Sequence, residues 1–148
     1  MEREKLCGEL VVYAADTENH LDLLYVEGGI CAGFPNPAGD YLEVAIDLNT
    51  ELIRHPAATF FGRVVGNSLE EAGVTEGDVV IIDKSLQPED GDMCVCFLDG
   101  EFTLKFIQHR KDEIWLIPAN KAYPPIRVTQ DNHFMIWGVV TYTIKRRK

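Results

Sequence analysis

Between Phe60 and Ile144 the chain is a succession of short β-branched and aromatic runs, none longer than eleven residues, cut apart by Gly, Pro, Asn and Asp. The runs are Phe60 to Val65, Val79 to Asp83, Met93 to Leu98, Glu101 to Gln108, Ile114 to Ile117 and Phe134 to Ile144. Runs of this length, punctuated in this way, are strands rather than helices, and they leave room for little except a compact, mainly β domain of short twisted strands and hairpins. The strongest local signal is Asp99-Gly100, because a type I′ turn needs positive φ at both central positions and Asp-Gly supplies it at low cost. A two-residue loop then sets Leu98 opposite Glu101, Phe97 opposite Phe102, Cys96 opposite Thr103, Val95 opposite Leu104 and Cys94 opposite Lys105. One face carries Val95, Phe97, Phe102, Leu104 and Phe106. The other carries Lys105 with Thr103, Cys94 and Cys96, and two thiols of a usually buried type predict that Lys105 is partly desolvated.

Ahead of the strands the pattern is looser. Asn49 is expected to cap a short helix through Glu51, Leu52 and Ile53 that stops before Pro56. The apolar clusters Leu10 to Tyr13 and Leu21 to Val26 are too brief to fold alone, so the first segment reads as a flexible arm. It ends in Gly28 to Pro37, where glycines loosen the backbone and two prolines oppose regular pairing, which predicts an exposed, extended connector. Residues 1–33 hold seven acids against two bases, a large share of the formal charge of −10.

Composition narrows the function classes. A chain of 148 residues supports one core. No run approaches the roughly 20 apolar residues that span a bilayer, and Met1 to Lys5 leads into no apolar signal core, so neither a membrane span nor secretion is expected. Cys7, Cys31, Cys94 and Cys96 form no CxxC pair, and His20, His55, His109 and His133 are scattered. No zinc site, disulfide framework or cofactor follows, and reduced thiols in a cytoplasm are the simplest reading. The acidity argues against direct nucleic-acid binding. Lys145 to Lys148 are basic as a block, but four charges read as a solvated end.

A more specific signal runs from Gly33 onward. Gly33-Phe34-Pro35-Asn36-Pro37-Ala38-Gly39-Asp40-Tyr41, Ile46-Asp47-Leu48-Asn49, His55-Pro56-Ala57-Ala58-Thr59-Phe60 and Gly66-Asn67-Ser68-Leu69 come first. Glu76 to Asp83, Asp99 to Lys105, Leu116-Ile117-Pro118-Ala119-Asn120 and Trp137-Gly138-Val139-Val140 follow in the same order and spacing. This series resembles the UmuD/LexA family of self-cleaving SOS-response proteins, which are peptidase S24-like and share a LexA/signal-peptidase-like β fold. The likeness covers most of the chain after Ala32. It implies Ser68 as nucleophile and Lys105 as its general base. It also implies a cut ahead of the Phe34-Pro35 element, made in the family after alanine or after cysteine. This chain offers Ala32-Gly33, with Cys31 one place upstream. That division makes residues 1–32 a removable arm and residues 33–148 a catalytic and dimerisation domain. Asn67 stands where the family usually has aspartate, and Leu69 where it has methionine.

The chemistry is coherent with those residue types. A serine hydroxyl is a weak nucleophile until a neighbour takes its proton, and a lysine can do so only as the neutral amine, which burial favours. The backbone N–H of Ser68, supported by the Asn67 turn, is the candidate oxyanion donor. Each piece alone has an ordinary reading: Gly-x-Ser is usually a turn and a strand lysine is usually solvated. Together, at a separation of 37 positions with a hairpin between and an Ala-Gly bond in a loose arm upstream, they shift the balance, and most of that shift comes from the resemblance. The resemblance further implies a homodimer, stimulation by a RecA filament on single-stranded DNA, and a product that joins a UmuC-type Y-family polymerase in error-prone translesion synthesis. The competing readings are a non-cleaving dimeric accessory or regulatory subunit, and a repressor C-terminal domain lacking its DNA-binding part.

Overall fold

The computed structural model of the chain describes residues 5–7, 10–14, 22–26 and 43–148. Two compact units are distinguished: residues 1–15 together with 55–148, and residues 16–54.

The smaller unit is a two-stranded ladder followed by one helical turn. Strands β3 (Asp22–Val26) and β4 (Glu43–Asp47) pair antiparallel, from Asp22 opposite Asp47 to Val26 opposite Glu43. Helix α1 (Leu48–Leu52) follows directly. Its cap is Asp47, not Asn49 as the sequence suggested. The Asp47 carboxylate accepts from the Asn49 backbone N–H at 3.0 Å, satisfying one of the orphan donors of the first turn, and also from the Thr50 hydroxyl at 3.0 Å.

The larger unit is mainly β, as the run pattern predicts. Its strands are β1 (Lys5–Cys7), β2 (Leu10–Ala14), β5 (Thr59–Val64), β6 (Val79–Asp83), β7 (Met93–Leu98), β8 (Glu101–Arg110), β9 (Glu113–Ile117), β10 (Ile126–Val128) and β11 (Phe134–Ile144). They form one nine-stranded antiparallel sheet in the order β1-β2-β5-β6-β11-β7-β8-β9-β10. Six of these strands match the six sequence runs to within two residues at either end. The segments around Leu10 and Leu21, read from sequence as a bare arm, contain β2 and β3. Each finds the support it lacks alone by pairing, β2 with β5 and β3 with β4.

Two apolar clusters cover the two faces of the β7–β8 hairpin. Leu10, Val12, Val64, Leu69, Val74, Val80, Ile82, Val95, Phe102 and Leu104 form the larger one. Against it Phe102 sets its ring 5.2 Å from Trp137 and 5.3 Å from Phe97. Cys94, Cys96, Ile107, Leu116 and Val139 form the second. Both faces of β8 are therefore covered near its middle, and a polar group placed there is buried, while Glu101 at its start and Arg110 at its end are exposed. Strand β11 joins the two halves of the sheet: its first half pairs with β7 and its second with β6, with register shifts at Ile136/Gly138 and Val140/Tyr142. Bulges bend a strand and sharpen its twist, which lets one long strand serve both neighbours. Among the described residues no helix is long and apolar enough to cross a membrane.

Candidate active site

The hairpin register is the one the Asp-Gly turn predicts, pair for pair from Leu98–Glu101 to Cys94–Lys105. Asp99 and Gly100 take φ of 49° and 91°, the positive values a type I′ turn requires. This register fixes where Lys105 emerges. It lies on the face shared by Cys96 and Ile107, and only 4% of its surface is exposed.

Ser68 comes from the turn that follows β5. After β5 the chain turns through Gly66, whose φ of 101° suits a residue without Cβ. The turn is then stitched to the loop after β9. The Ser68 carbonyl accepts from the Ala119 N–H at 2.7 Å, the Asn67 carbonyl accepts from the Asn120 amide at 2.8 Å, and the Ala119 carbonyl accepts from the Glu71 N–H at 2.7 Å. Leu69, 2% exposed, anchors the same turn in the larger apolar cluster, where an unbranched or γ-branched apolar side chain of methionine's size also fits. The serine is therefore held by backbone on both sides and by its neighbour's burial.

The two side chains meet. Lys105 Nζ donates to Ser68 Oγ at 2.9 Å and to Thr103 Oγ1 at 2.8 Å. Ser68 Oγ in turn points its proton toward the Leu104 carbonyl at 3.5 Å, the outer limit of a hydrogen bond. Contact at 2.9 Å serves equally for the reverse transfer, in which the hydroxyl donates to a neutral amine. Ser68 is itself 4% exposed. The pair opens onto a cleft of ≈ 400 Å³ lined by Gly66, Asn67, Leu98, Glu101, Tyr123 and Ile126 among others.

Asn67, the departure from the usual aspartate, faces along the cleft wall rather than toward the amine: its Oδ1 accepts from the Tyr123 hydroxyl at 2.7 Å. An aspartate oxygen could accept the same bond, so this contact does not depend on which of the two residues is present. Tyr123 and Ile126 are cleft residues that the sequence reading did not single out. The available cue was their position directly behind the Leu116 to Asn120 block. Thr103 was placed beside Lys105 by register alone, without its hydrogen bond. Ala32 and Gly33 lie outside the described residues. The thiols beside Lys105 are held in the protonated form. Burial, with Asp92 nearby, pushes Cys94 up to about 12; burial, with Cys94 adding and Lys105 opposing, pushes Cys96 up to about 12.

The sequence has clear relatives among known proteins. The family model described as Peptidase S24-like matches residues 24–141. Protein SamA of Salmonella typhimurium is 45% identical over 117 residues, 79% of this chain and 81% of that protein. Protein MucA of Escherichia coli is 40% identical over 116 residues, 78% of this chain and 79% of that protein. LexA repressor 2 of Pseudomonas syringae pv. tomato is 38% identical over 124 residues, 82% of this chain but 59% of the repressor. A mainly β sheet that brings a turn serine and a hairpin lysine together, in a sequence matched over most of its length by these proteins, leads to one assignment: the chain belongs to the Peptidase S24-like family, in its UmuD-type branch.

Proposed function

We propose that the protein is a serine peptidase of the SOS response that cuts its own chain between Ala32 and Gly33, with Ser68 as nucleophile and Lys105 as general base. The observation that carries this reading is the 2.9 Å contact between Lys105 Nζ and Ser68 Oγ, with both residues 4% exposed. In the neutral form the Lys105 amine takes the Ser68 proton while Oγ attacks the Ala32 carbonyl carbon. The backbone N–H of Ser68, in the turn that Asn67 supports, donates to the oxyanion. Collapse breaks the Ala32–Gly33 C–N bond, and the proton held on Lys105 passes to the departing Gly33 amine. Water, deprotonated by the same lysine, then hydrolyses the Ala32 ester and restores the serine. Because the substrate is tethered, docking of the connector sets the rate.

By family, the product of residues 33–148 acts as a dimer, as the accessory subunit of a UmuC-type error-prone polymerase in the cytoplasm, and a RecA filament on single-stranded DNA favours the docked state. The test is incubation of purified protein at raised pH, or with RecA, ATP and single-stranded DNA. Two fragments meeting at Ala32/Gly33 are expected, and none from Ser68→Ala or Lys105→Ala. An intact chain under all conditions, or cleavage that survives Ser68→Ala, overturns the reading.

A further inference from the structure

The segment that this cut would free is not hanging from the protein. Strand β2 lies between β1 and β5, and pairs with β5 from Leu10 opposite Val64 to Ala14 opposite Phe60. Leu10 is fully buried and Val12 is 6% exposed, both within the larger apolar cluster. Their seat is shaped for them. A Cβ added at Gly62 on β5 would lie 2.9 Å from Leu10 Cδ1, so the missing side chain of Gly62 is the space Leu10 fills. Further along, β3 pairs with β4 through another five positions, and residues 27–42, which contain Ala32-Gly33, are the connection between those two strands.

Hydrolysis of Ala32–Gly33 adds one water across one peptide bond and breaks none of the ladder bonds on either side of it. We propose that residues 1–32 stay bound to residues 33–148 after the cut as a noncovalent partner, held by β2 on β5 and by β3 on β4, and that loss of the arm is a separate, later step. Departure of β2 would take Leu10 and Val12 out of the larger apolar cluster and turn β5 into an edge strand with a free row of N–H and C=O groups, ready to take a strand from another chain. The cut thus primes the exchange, and a competitor for the β5 edge completes it.

The position of the cut is taken from the function proposed above, and the test is made independent of it. A full-length Ser68→Ala chain carrying an N-terminal tag and a site-specific protease sequence in the Gly28 to Gly33 connector is cut by added protease and passed over a sizing column. The two pieces are expected to co-elute one to one in native buffer and to separate in urea. An arm that elutes alone in native buffer overturns the proposal, while saying nothing of Ser68 and Lys105. Leu10→Asp in the same background is expected to shed the arm on cutting, and unchanged retention overturns the assignment of β2 as the anchor. Should Leu10→Asp fail to fold before cutting, Leu10→Ala carries the same comparison, read as at least tenfold faster loss of the arm on dilution.

Discussion

A long amine buried beside a serine hydroxyl needs a second polar neighbour to hold its rotamer, and the Thr103 hydroxyl at 2.8 Å from Lys105 Nζ does this two positions back on the same strand face. Thr103→Val keeps the shape and removes the acceptor. A hydrogen bond to an ionisable group is worth about 1.5 kcal/mol, so the proposed self-cleavage should slow by roughly tenfold, with Thr103→Ser restoring most of it. A gel time course of the three proteins reads this directly, and a valine variant as fast as the parent would remove Thr103 from the machinery. The thiols at the same site give a second expectation. With both raised to about 12, chiefly by burial, Cys94 and Cys96 hold almost no thiolate at pH 8. Mass-mapped alkylation at that pH should leave both unlabelled in native protein and label both in urea, and native labelling of either would contradict the closed packing around Lys105.

At the scale of elements, what sequence could read depended on how local the cause was. The β7–β8 hairpin is fixed by two adjacent residues, so its register and the two faces of β8 were legible from Asp99-Gly100, and the thiols on one of those faces pointed to partial desolvation of Lys105. Other features are decided by partners distant in sequence. Strand β10 is three residues long behind Pro124-Pro125 and exists by pairing with β9, from Ile126 opposite Leu116 to Val128 opposite Ile114. Strand β2 has no independent stability and takes its form from β5. The cleft wall made by Tyr123 depends on a hydrogen bond to a residue 56 positions away. Strand β11 read as one run, but its sharing between β6 and β7 rests on a close approach that no local pattern encodes. A Cβ at Gly138 would come within 2.5 Å of Ile82 Cγ2, a fully buried side chain with nowhere to retreat. Gly138→Ala should therefore cost about 1–3 kcal/mol through overpacking at the bulge, measured as a lower denaturant midpoint with unchanged slope. A neutral result would mean that β6 and β11 can separate without penalty, contrary to the pairing that joins the two halves of the sheet.

For the whole molecule, net charge and specific ion pairs pull stability in opposite directions as pH falls. A formal charge of −10 with an isoelectric point near 4.8 means that acidification from neutrality first relieves self-repulsion. Two buried carboxylates act against this at lower pH. Burial tends to raise Asp78, but hydrogen bonds from Lys145, at 2.7 Å, and from Thr75 outweigh it and hold the group below its ordinary 3.8. Burial likewise tends to raise Asp83, and the Ser85 hydroxyl and backbone N–H with the His55 ring hold it below 3.8. Lys145 opens the basic tail that the sequence presented as a solvated end; Thr75 and Asp78 tie it down. A carboxyl whose folded value is depressed contributes its full stability above the unfolded value and loses it as pH falls through the folded one. Stability should thus rise modestly from pH 7 toward about 5, near the isoelectric point, then drop below about 3.8 as Asp78 and Asp83 take up protons. Lys145→Ala should cost on the order of 1 kcal/mol at neutral pH, since it leaves a buried carboxylate short of its partner, and should flatten the acid limb. Urea midpoints from pH 3 to 8 for both proteins decide it: parallel curves would mean that the Asp78–Lys145 pair contributes nothing, and that charge repulsion alone shapes the profile.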